Sequence, residues 1–396
     1  MKALANLALI TGHIGEVGSG LSPFRGQNNV QGGGGDMGPL PDNFPGYQDV
    51  ADDEARAKFE AAWDCEIDST YGRYTTDMFL AADRDEIRGM YIIGENAALS
   101  EPNINHAGEV LDDLDFLVVQ DLFLTETAEY ADVVLPACTF VEKTGTFTNT
   151  DRRVQMVKQA MPTRGDSQPD WKIIQALARR MGRDWDYDDP AEIMDEVNSL
   201  TPIYGGVTHE RVESEGGLQW PCWNEDHPGT PRLYTEEFNT EDGLAHLQPV
   251  GHREPAESPD EEYPLTLTTG RVLYQYHTGT MTHRESGIMG HSGSDFVEIH
   301  PDTAADLGVD HGEIVRVESR RGAVEVPAQV TERPGQDNVF IPIHFAESAV
   351  NTLTDEEHLD PEASTPEYKV SAVRIEPTDG DLPPVVESER EATSDD

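Results

Sequence analysis

The sequence predicts a mixed α/β fold in which a parallel sheet is followed by a small β-barrel. Three observations lead there. Short apolar runs at 90–93, 116–120 and 133–136 alternate with helical segments, the pattern of βαβ units and a parallel sheet. From Tyr263 onward the texture changes to short, regularly spaced strands divided by Gly and Asp turns, the pattern of a small barrel. Between the two, residues 201–262 are acidic and rich in Pro and Gly, which marks a connection.

Taken in order, residues 3–10 carry Leu4, Leu7 and Ile10 at helical spacing and stop at Gly12. This start mimics a signal peptide, but its apolar run is short and no small-x-small cleavage site follows. Residues 11–48 hold Gly32 to Gly35 and four further prolines and glycines from Gly38 to Pro45, a loop composition of unusual length. Helices are expected at 51–64 and 76–88, a short polar helix at 107–113, and one from Thr125 to Tyr130. Residues 168–181 place Trp171, Ile174, Leu177, Ala178 and Met181 on one helical face. The next helix starts with Asp189 as cap and Pro190 in its first turn. Strands are then expected at 265–269, 296–299, 314–318, 322–330, 339–343 and 371–375. The end, 378–396, has acid and Pro but few apolar residues and is expected to be a disordered tail.

Charge bounds the function. The 396 residues carry 28 Lys+Arg against 76 Asp+Glu, a formal charge of −48. No positive field exists to release counterions from nucleic acid, and docking on anionic membrane is disfavoured. Lys occurs at only six positions (2, 58, 143, 158, 172 and 369), the rest of the cations being Arg. Molar salt shortens the Debye length to about 3 Å and screens self-repulsion, so a halophilic source is expected. The three cysteines (Cys65, Cys138 and Cys222) are far apart, with no Cys-x-x-Cys pair. That speaks against a metal or iron–sulfur site built from this chain and against a disulfide framework. No apolar stretch reaches the ~20 residues of a membrane span, so the expectation is a soluble, cytoplasmic protein with no metal ligand of its own.

Candidate chemistry sits at a few places. Arg25-Gly26-Gln27-Asn28-Asn29-Val30-Gln31-Gly32 sets a lone Arg among amides and glycines, which suits a small carboxylate. The bland alternative is an Arg that ties a loop through carbonyls. Gly94-Glu95-Asn96 and Gln120-Asp121 follow predicted strands, where open α/β sheets bind nucleotides. Residues 145–153 pair Arg152 with Arg153 in a polar turn. In the barrel, Gly270-Arg271 leads to His277 and Thr278, a strand end suited to phosphate or a fused heterocycle. A lone His such as His277 or His344 is more often structural. No P-loop and no Gly-x-Ser-x-Gly elbow occur, and Gly15 to Gly20 follows no strand, so it is not a dinucleotide fingerprint.

Together these strings resemble the molybdopterin oxidoreductase family, and within it the catalytic alpha subunit of formate dehydrogenases. The resemblance rests on Arg25 to Gly32 with Asp36-Met37-Gly38 and Pro45-Gly46-Tyr47, on 120–136, on 142–153, on 270–282 and on Pro366-Glu367-Tyr368-Lys369. It implies a bis(molybdopterin guanine dinucleotide) cofactor with molybdenum or tungsten, and formate as substrate. Arg25 would orient formate within a substrate loop at 20–48, with Gln27 near a pterin. Gly94, Glu95, Asn96, Gln120, Asp121, Thr125, Asp151 and Arg152 would bind one guanine dinucleotide. The final region, 263–377, would be a six-stranded double-psi barrel reaching the pterins through Gly270, Arg271, His277, Thr278, Asn351, Tyr368 and Lys369. The α/β part would be 1–200, with 201–262 as linker or insert.

The sequence departs from the family pattern as well. The cysteines of a [4Fe–4S] cluster and the Cys or selenocysteine that ligates the metal, with its adjacent His, are not in this sequence. By motif context Met1 falls at a helix deep inside the family chain. The resemblance therefore implies the C-terminal portion of the subunit: a truncated gene, a wrong start or one piece of a split enzyme. Its expected partners are a missing N-terminal half or separate subunit, which would carry the cluster, and an electron-transfer iron–sulfur subunit. The rival readings are another reductase of the family, such as one for nitrate, and an inactive fragment or non-enzymatic cofactor-binding protein.

Overall fold

The computed structural model describes residues 1–38 and 40–378. The tail expected at 378–396 therefore lies outside the described residues, apart from Thr378.

Strand β1 (Asn43–Phe44) and strand β2 (Gln48–Asp49) form a small antiparallel hairpin. It packs on the helix Asp53–Trp63, where the Phe44 and Phe59 rings stack with centroids 4.3 Å apart. The parallel sheet is present as expected. Strands β3 (Gly89–Ile93), β4 (Phe116–Asp121) and β5 (Val133–Pro136) lie in chain order, all parallel. Leu117 and Val119 point into a core with Phe79, Ala98, Val110 and Leu111 from the helices on one face. On the other face Tyr91, Ile93, Phe116 and Val133 keep more than a third of their surface exposed, although parallel sheets are ordinarily covered on both sides.

Several helix boundaries differ from the sequence expectation. The helix expected at 76–88 runs Thr75–Asp83, because Asp85 turns left-handed (φ +59°) and Glu86 N–H closes back on the Ala81 carbonyl. The helix at 107–113 begins earlier, at Ile104. Thr125 is not helical. It precedes the single 3-10 turn Thr127–Tyr130, and its hydroxyl accepts the Ala128 N–H at 3.3 Å. Asp189 caps the helix Pro190–Leu200 through Ala191 N–H, with Pro190 in its first turn.

The largest departure concerns 201–262. Strands β6 (Gly145–Thr148), β7 (Arg153–Val157) and β8 (Leu218–Gln219) form one antiparallel sheet. Tyr204, Val207, Val212, Leu218 and Cys222 are buried in a shared core with Val154 and Met194. Residues 202–222 are thus integral to the α/β part rather than a plain connection. The apolar residues that accomplish this are scattered singly among acids and glycines, so no periodic stripe shows in the sequence.

The barrel closes with six strands: β9 (Leu265–Gly270), β10 (Val297–Ile299), β11 (Ile314–Glu318), β12 (Ala323–Val330), β13 (Asn338–Pro342) and β14 (Ser371–Pro377). Their order is β10-β12-β11-β14-β9-β13, with β13 returning to β10. The pairs β10–β12 and β13–β9 are parallel and the others antiparallel. Alternate residues, among them Leu267, Val315, Val326, Val339, Ile341 and Val373, fill the interior.

Candidate functional site

The loop that bears Arg25 is shaped by its glycines. Gly32–Asp36 makes a single π-turn, with Asp36 N–H on the Gln31 carbonyl and Met37 N–H on Gly32. The composition alone suggests plain loop here. At two of its positions a side chain would displace these neighbours: a Cβ on Gly32 would lie 2.4 Å from Asn29 Oδ1, and one on Gly35 2.7 Å from Tyr47 OH. Asn29 in turn accepts the Thr148 N–H at 2.8 Å, fixing the loop to β6.

Arg25 is exposed, and its Nη2 donates to Gln31 Oε1 at 3.0 Å. The loop also meets the barrel. Asn28 N–H donates to Tyr276 OH at 3.2 Å, and Gly26 approaches Arg271 so closely that a Cβ there would sit 3.0 Å from Nη2. Arg25, Gln27 and Arg271, nominated separately from sequence, therefore share one region. Lys369 donates to the Thr269 carbonyl at 2.6 Å, and burial, with Arg271 nearby, holds its ammonium below the usual lysine range. Among the described residues Arg25, Arg271 and Lys369 form no ion pair with any carboxylate. In a chain this acidic, that leaves positive charge available to an anion.

Two clefts adjoin along Asn28, Asn29 and Phe147. One, of about 410 Å³, is lined by Arg25, Gln27 and Thr148 to Thr150. The other, of about 570 Å³, opens at the carboxyl end of the parallel sheet beside Gly94, Gln120 and Asp121. Gln120 is fully buried, accepts a hydrogen bond from Tyr91 OH and donates to Asp170 Oδ1 at 2.8 Å. Asp170 also pairs with Lys143, a cleft residue that the sequence does not single out. Asp121 accepts the Leu122 N–H at 2.6 Å, and burial raises its carboxyl above the ordinary aspartate range.

Other nominated residues lie elsewhere or have their polar atoms engaged. Asn96 donates to Glu126 at 2.7 Å and accepts from Thr127 Oγ1 at 2.8 Å. The Glu95 carboxylate accepts from Ser100. Asp151 and Arg152 line a third cleft of about 300 Å³ with Ile14 to Glu16, Ser19 to Ser22 and Pro231 to Tyr234, apart from the one beside Gly94 and Asp121. Arg152 holds a left-handed backbone (φ +65°), bonds the Trp220 carbonyl and stands 5.3 Å from the Trp220 ring.

Two candidate residues of the barrel connect the two halves of the molecule. Asn351 Nδ2 donates to the carbonyls of Leu99 at 3.1 Å and Ser100 at 3.0 Å, and Tyr368 OH donates to Ser100 at 3.1 Å. Thr269 hydroxyl donates to the Tyr368 carbonyl at 2.7 Å, linking the end of β9, at Gly270, to this clamp. His277 (φ +48°) and Thr278 belong to a turn held by His344. The buried His344 accepts the Val272 N–H at Nε2 (2.9 Å) and donates from Nδ1 to the His277 carbonyl, which fixes one neutral tautomer. Burial lowers its pKa accordingly.

Buried polar atoms without partners test whether a large polar ligand fits here. Among the described residues Asn351 Oδ1 and Gln275 Oε1 are buried and unbonded. Both lie in the barrel's connections, and unpaired buried acceptors of this kind are uncommon in folded proteins. Together with the free cations, they fit a phosphate- and amide-bearing dinucleotide.

A parallel sheet with polar residues at its carboxyl edge, a cation-bearing loop and a closed barrel clamped onto both define a dinucleotide-cofactor protein. Comparison with known proteins makes the class specific. Residues 1–180 match the molybdopterin oxidoreductase family model, and residues 265–372 match the molydopterin dinucleotide binding domain. The chain belongs to the molybdopterin oxidoreductase family. It is 45% identical over 378 residues to the F420-dependent formate dehydrogenase 1 subunit alpha of Methanococcus maripaludis, covering 95% of this chain and 55% of that one. The match to the F420-dependent formate dehydrogenase subunit alpha of Methanocaldococcus jannaschii has the same identity and coverage. The chain thus spans about half the length of these curated relatives. Among solved structures, acetylene hydratase from Pelobacter acetylenicus is similar in fold, with a TM-score of 0.61 at 19% identity, over 78% of this chain and 47% of that one.

Proposed function

We propose that this chain is the formate-orienting and pterin-dinucleotide-binding part of a formate dehydrogenase-type enzyme that converts formate to CO2. The observation that carries the reading is Arg25. Among the described residues its guanidinium has one side-chain hydrogen bond, to Gln31, which leaves further N–H donors for a ligand in the cleft between the loop and strands β6 and β7. A planar fork of donors matches a carboxylate, and fixing both formate oxygens would present the C–H bond in one direction.

When bound, the molybdenum- or tungsten-pterin group supplies the two-electron acceptor. Arg271 and Lys369 would hold its phosphates, Asn351 Oδ1 is available to a donor on it, and Gln27 lies in the same cleft as Arg25. Gly94, Gln120 and Asp121 would take the guanine end at the sheet edge. The reading adds an iron–sulfur partner to receive the electrons and a cytoplasmic setting. No helix among the described residues is long and apolar enough to cross a membrane.

The test is to isolate the protein from its native cells with the subunits that accompany it. Formate-dependent reduction of a viologen dye is expected, with pterin and metal in the preparation. Arg25→Ala should lower that rate by about 100-fold or more, the usual cost of losing a positioned charge at a reacting group, with pterin content unchanged. A preparation without pterin, or one that reduces nitrate and ignores formate, would remove the proposal.

A further inference from the structure

The π-turn of the arginine loop ends in a carboxylate with no solvent exposure, Asp36. A buried carboxylate is ordinarily neutralised by a cation or a metal. Among the described residues no cation contacts Asp36, although Arg152 interacts with its charge from beyond ion-pair distance, and four neutral groups bond it instead. Gln31 Nε2 (2.7 Å) and Tyr47 OH (2.9 Å) donate to Oδ1, while Tyr204 OH (2.7 Å) and Trp220 Nε1 (2.6 Å) donate to Oδ2. The amide NH2 and the indole N–H are donors only, so each carboxylate oxygen faces at least one group that requires an acceptor. Burial raises this carboxyl, and all four hydrogen bonds act the other way.

Gln31 is the link between this anion and the surface. Its Nε2 also donates to Tyr47 OH at 3.0 Å, while its Oε1 accepts from Arg25 Nη2 at 3.0 Å. The two ends of an amide are alike in shape. Reversed, the carbonyl oxygen would face the Asp36 carboxylate and the NH2 would face the guanidinium, and both contacts would repel.

We propose that Asp36 is a positioning residue for Arg25. It acts through Gln31, whose amide it holds in the single orientation that offers an oxygen to the guanidinium. The functional meaning of this role rests on the reading of Arg25 as the formate-orienting group. The arrangement also accounts for Tyr204 and Trp220, in the segment that reads as a linker, being built into the site.

Arg25 can be read on the purified full chain without cofactor. Phenylglyoxal must reach both terminal guanidinium nitrogens, so its rate at Arg25 reports whether the Gln31 bond holds. Arg271 serves as internal reference, with peptide mass spectrometry as readout. Asp36→Asn should raise the Arg25 rate about five-fold relative to Arg271, the equivalent of one lost hydrogen bond. Gln31→Leu should do the same, and the two together should add nothing further. Tyr204→Phe removes a donor from the far oxygen; it should lower the melting temperature and leave the Arg25 rate unchanged. Should Asp36→Asn fail to fold, Gln31→Leu and Tyr47→Phe decide the matter. An Arg25 rate that stays at the wild-type value in folded Asp36→Asn, or, where that variant does not fold, in both Gln31→Leu and Tyr47→Phe, overturns the proposal. Protection of wild-type Arg25 by added formate is the separate arm: its absence would sink the substrate role of Arg25 and leave the positioning role standing.

Discussion

Replacing Glu101 with Gln should make the protein more stable at pH 8 and leave it nearly unchanged at pH 5. Glu101 ends the helix Ala97–Ser100, is 6% exposed, and has one side-chain hydrogen bond, from Thr76 Oγ1 at 3.1 Å. Burial, with a smaller contribution from the charge of Glu95, pushes its carboxyl from 4.5 up to about 7. The folded state therefore keeps a proton that the unfolded chain has lost. Stability from this group is intact below about 4.5 and falls as pH rises towards about 7. At roughly 1.4 kcal/mol per pH unit, the loss is about 3 kcal/mol. Urea unfolding of wild type and Glu101→Gln at pH 5 and pH 8, at one fixed high salt concentration, measures it. Gln cannot ionise, so its curve should lack the decline. Identical pH dependence in the two proteins, or a less stable Gln variant at pH 8, would refute the reasoning. The setting gives the result a wider meaning. Glu101 adjoins Ser100, where Asn351 and Tyr368 clamp the barrel to the sheet.

Three further outcomes follow from the same structure. Asn351→Ala removes two hydrogen bonds across that clamp and should cost about 1–3 kcal/mol, read as a lower melting temperature in calorimetry. His344→Phe strands the Val272 N–H and the His277 carbonyl that the imidazole serves; a similar loss of about 1–3 kcal/mol in urea unfolding is expected, with no loss pointing to a replaceable turn. With a formal charge of −48, the thermal midpoint should climb as KCl is raised from about 0.1 M to molar levels, where the Debye length drops to about 3 Å. A flat salt profile would remove the case for salt adaptation.

The barrel and the parallel sheet were legible because their signals are local. Alternation along β9, β11 and β12 and short apolar runs ending in Gly or Pro follow from side-chain geometry within a few residues. The Arg25 loop was also legible, since a lone cation among amides and glycines stands out in so acidic a chain. The chain by itself thus determined the two layers of the fold, the family resemblance and the leading candidate cation. What it could not show is which distant residues meet. Asp36 lies 168 residues from Tyr204 and 184 from Trp220, and no periodic pattern marks that pairing. Asp151 and Arg152, near the sheet strands in sequence, face a different cleft. Asn351 and Tyr368 hold Ser100 across the boundary between the two parts. These facts belong to the tertiary structure, because a buried carboxylate or amide is satisfied by whatever donors and acceptors the packed chain brings within about 3 Å, however far apart they lie along it.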